Sequence, residues 1–216
     1  MHQILVYADS LSWGIIPDTR SRFRFDQRWP GIVELELQRA GISVRVIEDC
    51  LNGRRTVWND PFKPGRNGLE GLEQRIEINS PLALVVVFLG TSDFQSMHYL
   101  NAWQSSQGLA AIVASIRRAP NEPGMPVPPI LLVAPPQIQK AIGKFAPKFQ
   151  GAETKAVGFT SAIRAVAKEL DCHFFDAGSV TATSRVDGVH LDEDQHLGLG
   201  KALAAEIKII LPNAAA

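Results

Sequence analysis

The run LALVVVFLG, from Leu82 to Gly90, limits what this chain can fold into more than any other stretch. Its valines favour extended backbone. An uninterrupted apolar run of this length suits a parallel strand buried on both faces. Such a strand needs helices above and below it, and the rest of the chain supplies them. ILVYA, SVRVIED, ILLVAPP and HFFDAG read as further strands at residues 4–8, 43–49, 130–136 and 173–178. Helical spacing appears between them. Ile32, Val33, Leu35 and Leu37 fall on or near one face of WPGIVELELQRAG, with Gly41 as its stop. GLEGLEQRIEI, AWQSSQGLAAIVASIRRA and ETKAVGFTSAIRAVAKEL each read as one helix. A last helix begins near Asp192, with Gln195 placed to complete a capping box. Strands alternating with helices predict the α/β class: a three-layer α/β/α sandwich around a flavodoxin-like five-stranded parallel sheet. Residues 1–211 form one domain on this reading, and 212–216 a frayed tail.

Charge narrows the partners. Lys plus Arg and Asp plus Glu are both 22, so no global field draws in nucleic acid or an anionic membrane surface. Arg20, Arg22, Arg24 and Arg28 cluster, but Asp18 and Asp26 interrupt them, and the segment reads as a solvated loop. Cys50 and Cys172 match no zinc or redox spacing and read as buried free thiols. No stretch approaches the ~20 apolar residues of a membrane span. With no leader-like start the chain reads as cytoplasmic.

In open parallel sheets, ligands sit beyond the carboxyl ends of the strands. That edge collects Asp9-Ser10, Asn52-Gly53, Gly90-Thr91-Ser92-Asp93, Pro135-Pro136 and the segment DAGSVTATSRVDGVHLD, which carries Asp187 and His190. A hydroxyl, an imidazole and a carboxylate converging there are the inventory for nucleophilic acyl transfer. Asp187 and His190 stand three apart on a turn opened by Gly188, so the carboxylate reaches one ring nitrogen while the other faces the serine. Asp9 and Asp93 read as loop braces. The group His190, Asp192, Asp194 and His196 is accounted for by a helix start, so no metal is expected. The loop NGRRTVWNDPFKPGRN, at 52–67, is too long for a simple connection, which marks it for function or contacts.

YADSLSWG, LNGRRT, VVVFLGTSD and VDGVHLD, in this order, resemble the GDSL or SGNH hydrolases, and most of all their bacterial arylesterase and acyltransferase branch. RWPGIV, VIEDCLNGRRT, NDPFKPGRNG and FFDAGSV extend the resemblance over nearly the whole chain. It implies Ser10 as nucleophile, His190 as base and then acid, and Asp187 as its orienting partner. It also implies an oxyanion hole from the backbone amides of Ser10 and Gly53 and a side chain at position 92. Two positions depart from the pattern. Ala8 stands where the family has the glycine of G-D-S-L, and Ser92 where it has the asparagine of G-T-N-D. Losing an oxyanion donor typically costs on the order of 10²–10³ in turnover.

The expectation is a serine esterase for small short-chain aryl or alkyl esters, working without metal or cofactor, with acyl transfer to alcohols as a family-level extension. Trp13, Ile15 and Ile16 are placed to make an apolar pocket, with the core an equal destination for Trp13, and His98, Tyr99 and Trp103 to wall a pocket or meet another subunit. The resemblance implies a homo-oligomer with the 52–67 loop as a contact. Three alternatives stay open: a carbohydrate acetyl esterase, a binding protein weakened by Ser92, and a flavodoxin-like nucleotide binder. No glycine-rich phosphate loop follows the first strand, which counts against the last.

Overall fold

The computed structural model describes residues 1–120 and 122–211, so the expected tail at 212–216 lies outside the described residues. Five strands form one parallel sheet: β1 (His2–Ala8), β2 (Val44–Cys50), β3 (Leu84–Phe88), β4 (Ile130–Ala134) and β5 (His173–Asp176). Their order is β2-β1-β3-β4-β5, the flavodoxin-like order. The helices are α1 (Ser10–Trp13), α2 (Trp29–Arg39), α3 (Leu72–Asn79), α4 (Ala102–Arg118), α5 (Ala152–Lys155), α6 (Phe159–Glu169) and α7 (Glu193–Ile210). Among the described residues no helix is long and apolar enough to cross a membrane.

The period-2 alternation of the central strands divides the core in two. Leu5 and Tyr7 of β1, Val85 and Val87 of β3, and Ile130 and Leu132 of β4 pack with α3, α4 and α6. Their neighbours Ile4, Val6, Ala8, Val86, Phe88, Leu131 and Val133 pack with Trp29, Val33 and Leu37 of α2 and Leu199, Leu203 and Ile207 of α7. Both faces of these strands are therefore apolar, which is why they read as continuous hydrophobic runs. Gly200 lets α7 close on α2: a Cβ there would lie 2.7 Å from the side chain of Ile32. Asp192 and Gln195 form the expected capping box at the start of α7.

Some expectations need correction. ETKAVGFTSAIRAVAKEL is two helices, because Gly158 takes a left-handed φ of +84° and starts α6 afresh. GLEGLEQRIEI becomes helical only at Leu72, after Gly71 at φ +69°. Cys50 and Cys172 are free, but half-buried rather than buried. The arginine-rich loop is not uniformly solvated. Arg28 is buried and forms a bidentate pair with Glu48 at 2.6 and 2.8 Å, which Arg22 joins at 3.1 Å.

Candidate active site

The β1–β3 boundary is where the strand order reverses, and the chain leaves β1 there into a single helical turn. Asp9 caps that turn, its Oδ1 accepting the N–H of Leu11 at 3.0 Å, and Gly14 closes it at φ +85°. Ser10 is the first residue of the turn and is 6% exposed. Ala8 is a paired strand residue whose methyl fills the α2–α7 core, so nothing at position 8 demands a glycine.

Asp187 and His190 arrive on the connection between β5 and α7. Gly188 turns the chain at φ +78°, packed so tightly that a Cβ would lie 2.6 Å from the carbonyl oxygen of Lys140. Asp187 Oδ1 accepts the N–H groups of Val189 and His190 at 2.9 Å each. Its Oδ2 lies 2.7 Å from His190 Nδ1 and accepts the N–H of Asp18 at 3.2 Å. His190 Nε2 lies 3.2 Å from Ser10 Oγ. The ring stands edge-on to Phe145, centroids 4.5 Å apart. Burial would raise Asp187, but the hydrogen bonds from His190 and Val189 outweigh it and hold the carboxyl at about 2. It stays an anion beside the imidazole.

The two loops facing Ser10 are tied together from beneath. Asp93 accepts from the N–H and hydroxyl of Thr56 at 2.9 and 2.7 Å and from Ser105 Oγ at 2.6 Å, the bracing role expected of it. Arg55 is fully buried. Its Nη1 donates to Asp60 Oδ2 at 2.9 Å and to the Gly53 carbonyl at 3.3 Å, and its Nη2 donates to Gln95 Oε1. Arg54, also buried, donates to the Ala8 carbonyl at 3.1 Å and to Asp49 Oδ1 at 2.7 Å, and stacks on Tyr7. Gly53 sits at φ +79°, a conformation that suits glycine. Neither its N–H nor that of Ser10 has a partner among the described residues.

Two buried carboxyls lie behind the nucleophile. Burial, with Asp93 nearby, raises Asp9 to about 7 against the opposing effects of Leu11 N–H, Arg54 and the Ser92 hydroxyl. Asp9 Oδ2 nonetheless lacks a hydrogen-bond partner. Asp93 is raised to about 6 by burial, in spite of its hydrogen bonds. His196, buried behind α2, is held neutral at about 3 by burial and by His190 and Arg28. Its Nδ1 accepts the Trp29 N–H at 3.3 Å, a structural task.

Above Ser10 and His190 is a cleft of only about 30 Å³, lined by Ile15, Asn52, Gly53, Ser92, Gln95, Phe145, Phe149 and three cations, Arg20, Lys63 and Lys148. A larger pocket of about 260 Å³, between Pro135–Ile138 and the start of α6, contains none of the triad groups. Convergence of reactive groups, rather than volume, marks the site.

Ser10, Gly53, Ser92, Asp187, His190 and Ile15 are thus brought together. Trp13 is not among the lining residues: it packs on the core and carries the Arg22 guanidinium 4.9 Å from its ring centroid. Tyr99 and Trp103 are largely exposed and also lie off the cleft. Gln95 escaped the sequence reading. Arg55 can only donate, so Gln95 must turn its Oε1 toward it and its Nε2 the other way. That NH₂ has no partner among the described residues.

The chain matches the model of the GDSL-like lipase/acylhydrolase family over residues 9–203. Among solved structures it resembles the native aryl esterase of M. smegmatis, at 33% identity and TM-score 0.90, over 98% of this chain and 100% of that one. Est24, a carbohydrate acetylesterase from Sinorhizobium meliloti, aligns at 28% identity and TM-score 0.90, with the same coverage. A protein of Agrobacterium tumefaciens str. C58 proposed to be an arylesterase aligns at 37% identity and TM-score 0.89, again over 98% and 100%. No curated protein matches the chain.

Proposed function

The chain belongs to the GDSL-like lipase/acylhydrolase family and is a carboxylic ester hydrolase, and on that premise we propose that it cleaves small short-chain aryl or alkyl esters through an acyl-enzyme on Ser10. The observation that carries this reading is the unbroken line of contacts from Ser10 Oγ through His190 to Asp187, at 3.2 and 2.7 Å. His190 Nε2 takes the hydroxyl proton as Ser10 attacks the ester carbonyl, and returns it to the leaving alcohol. Asp187, anionic at any working pH, holds the ring and stabilises the imidazolium. Water then attacks the acyl-enzyme with His190 again as base.

The oxyanion formed in each step is met by the free N–H groups of Ser10 and Gly53. Ser92 is the third member on this reading, lining the same cleft as Ser10 and Gly53. Gln95, held by Arg55 and lining the same cleft, supplies the amide donor that an asparagine would give at position 92. The small cleft, closed by Phe145, Phe149 and Ile15, supports short acyl groups. Its apolar walls also support alcohols competing with water for the acyl-enzyme, which is the acyl-transfer extension.

The likeness to Est24 favours a second reading on the same machinery, removal of acetyl groups from carbohydrate. The family assignment leaves the nucleotide-binding alternative without support. A homo-oligomer joined through the 52–67 loop remains part of the proposal, supported by Phe62, which is 81% exposed at its tip; light scattering on the purified protein tests it. The deciding experiment for the chemistry is hydrolysis of p-nitrophenyl acetate by the parent and Ser10→Ala. A fall of roughly 10⁴-fold or more in kcat supports the mechanism, and equal rates reject it.

A further inference from the structure

The three cations at the cleft have no counterpart in its chemistry so far. Arg20 and Lys63 are exposed and Lys148 is half-buried, and all three line the cleft that holds Ser10 and His190. No acidic residue shares that lining. None of the three makes an ion pair among the described residues. Their neighbours behave differently: Arg22, Arg24 and Arg28 of the same loop pair with Glu48, Asp26 and Glu48.

The nearby carboxylates are already engaged. Asp60 is held by Arg55 and by the N–H groups of Phe62 and Lys63. Asp187 is held by His190, while Asp9 and Asp93 are buried beneath the loops. Lys148 Nζ comes within 3.9 Å of where a Cβ on Gly53 would stand, so its charge lies beside the ester-binding edge of the cleft. The chain as a whole carries no net charge, so this local excess is not a sample of a basic surface. Unpaired cations around a concave, partly apolar site raise the local concentration of anions and hold them by charge-assisted hydrogen bonds.

We propose that the preferred substrate is an ester bearing an anionic oxygen group, a carboxylate, phosphate or sulfate, which docks on Arg20, Lys63 and Lys148 while the ester carbonyl lies over Ser10. This names the substrate class of the esterase reading and rests on it. Arg20 offers a planar fork to such a group, and the two lysines offer mobile point charges. The preference is electrostatic, so it weakens with salt.

Matched esters test it. On the alcohol side, 4-acetoxybenzoate is compared with its methyl ester. On the acyl side, mono-4-nitrophenyl glutarate is compared with 4-nitrophenyl pentanoate. Each kcat/KM is corrected for the spontaneous rate. The expected result, for at least one pair, is a preference for the anion of roughly tenfold at low ionic strength, about twofold from each cation. It shrinks in 0.5 M NaCl, and Arg20→Gln, Lys63→Gln and Lys148→Gln each lower the ratio. A ratio taken on one variant cancels its amount of folded enzyme, so misfolding cannot imitate the effect. The favoured pair identifies the half of the substrate that carries the charge. Ratios of one or less for both pairs, or a preference untouched by all three substitutions, overturn the proposal while leaving an active esterase. Absence of turnover on the neutral esters and on p-nitrophenyl acetate instead rejects the esterase reading beneath it.

Discussion

Asp9 makes the stability of the fold depend on pH. Its carboxyl is fully buried directly before the nucleophile, with one oxygen capping Leu11 and the other without a partner. Burial raises it from 3.8 to about 7. In the unfolded chain it ionises near the lower value, and in the folded protein near the higher. Between them unfolding releases a proton, so stability is full below about pH 4, falls as pH rises, and levels off above about pH 7. From pH 5 to pH 8 the loss spans about two pKa units, or about 3 kcal/mol at 1.36 kcal/mol per unit. Asp9→Asn keeps the cap on Leu11 and cannot ionise. Urea denaturation of parent and variant at pH 5, 6, 7 and 8 isolates the effect of Asp9 together with its coupling to Asp93, because the contribution of His196 is common to both. The stability of Asp9→Asn relative to the parent is expected to rise by about 3 kcal/mol across that range. A difference that stays constant with pH refutes the reasoning, for Asp9 then ionises in the folded protein as it does in the unfolded chain.

Other substitutions probe the turn and the donors. Gly188→Ala forces a side chain into φ +78° and against the Lys140 carbonyl. It is expected to cost about 2 kcal/mol in a denaturation curve and roughly 10²-fold in kcat, by displacing His190. Asp187→Asn removes the anion that orients the imidazole, and a loss of about 10³–10⁴ in kcat at neutral pH is expected in steady-state assays. Gln95→Leu is expected to lower kcat on p-nitrophenyl acetate by about 10²-fold with KM little changed. Ser92→Asn, added to Gln95→Leu, is expected to recover most of that loss; no recovery would make Gln95 a packing residue.

The frame of the fold was legible because β1, β3 and β4 are apolar on both faces, a pattern that few other architectures accommodate. Ser10, Asp187 and His190 were legible through the ordered blocks that carry the family resemblance, for an aspartate and a histidine three apart on a glycine turn are by themselves a common pattern. What stayed hidden depends on partners distant in sequence. Arg28 looks solvated until Glu48, on the second strand, is brought beside it. Arg54 and Arg55 sit in the long 52–67 loop, yet both are buried, Arg54 against Asp49 and the Ala8 carbonyl and Arg55 against Asp60 and Gln95. Gln95 carries no motif, and its orientation is set wholly by Arg55, 40 residues earlier. The break before α6 turns on a single glycine inside a good helical pattern. Trp13 could serve the pocket or the core, because a position near the nucleophile does not fix the direction of a side chain, and its ring packs on the core under Arg22.

The proposed hydrolysis stands or falls on a covalent bond between Ser10 and the acyl group. Treating the protein with a fluorophosphonate ester and mapping the adduct by peptide mass spectrometry tests this without any assumption about the natural substrate. The account predicts stoichiometric labelling of Ser10, lost in Ser10→Ala and strongly slowed in His190→Ala. An unlabelled Ser10, or equal labelling of the parent and the His190→Ala protein, would contradict it.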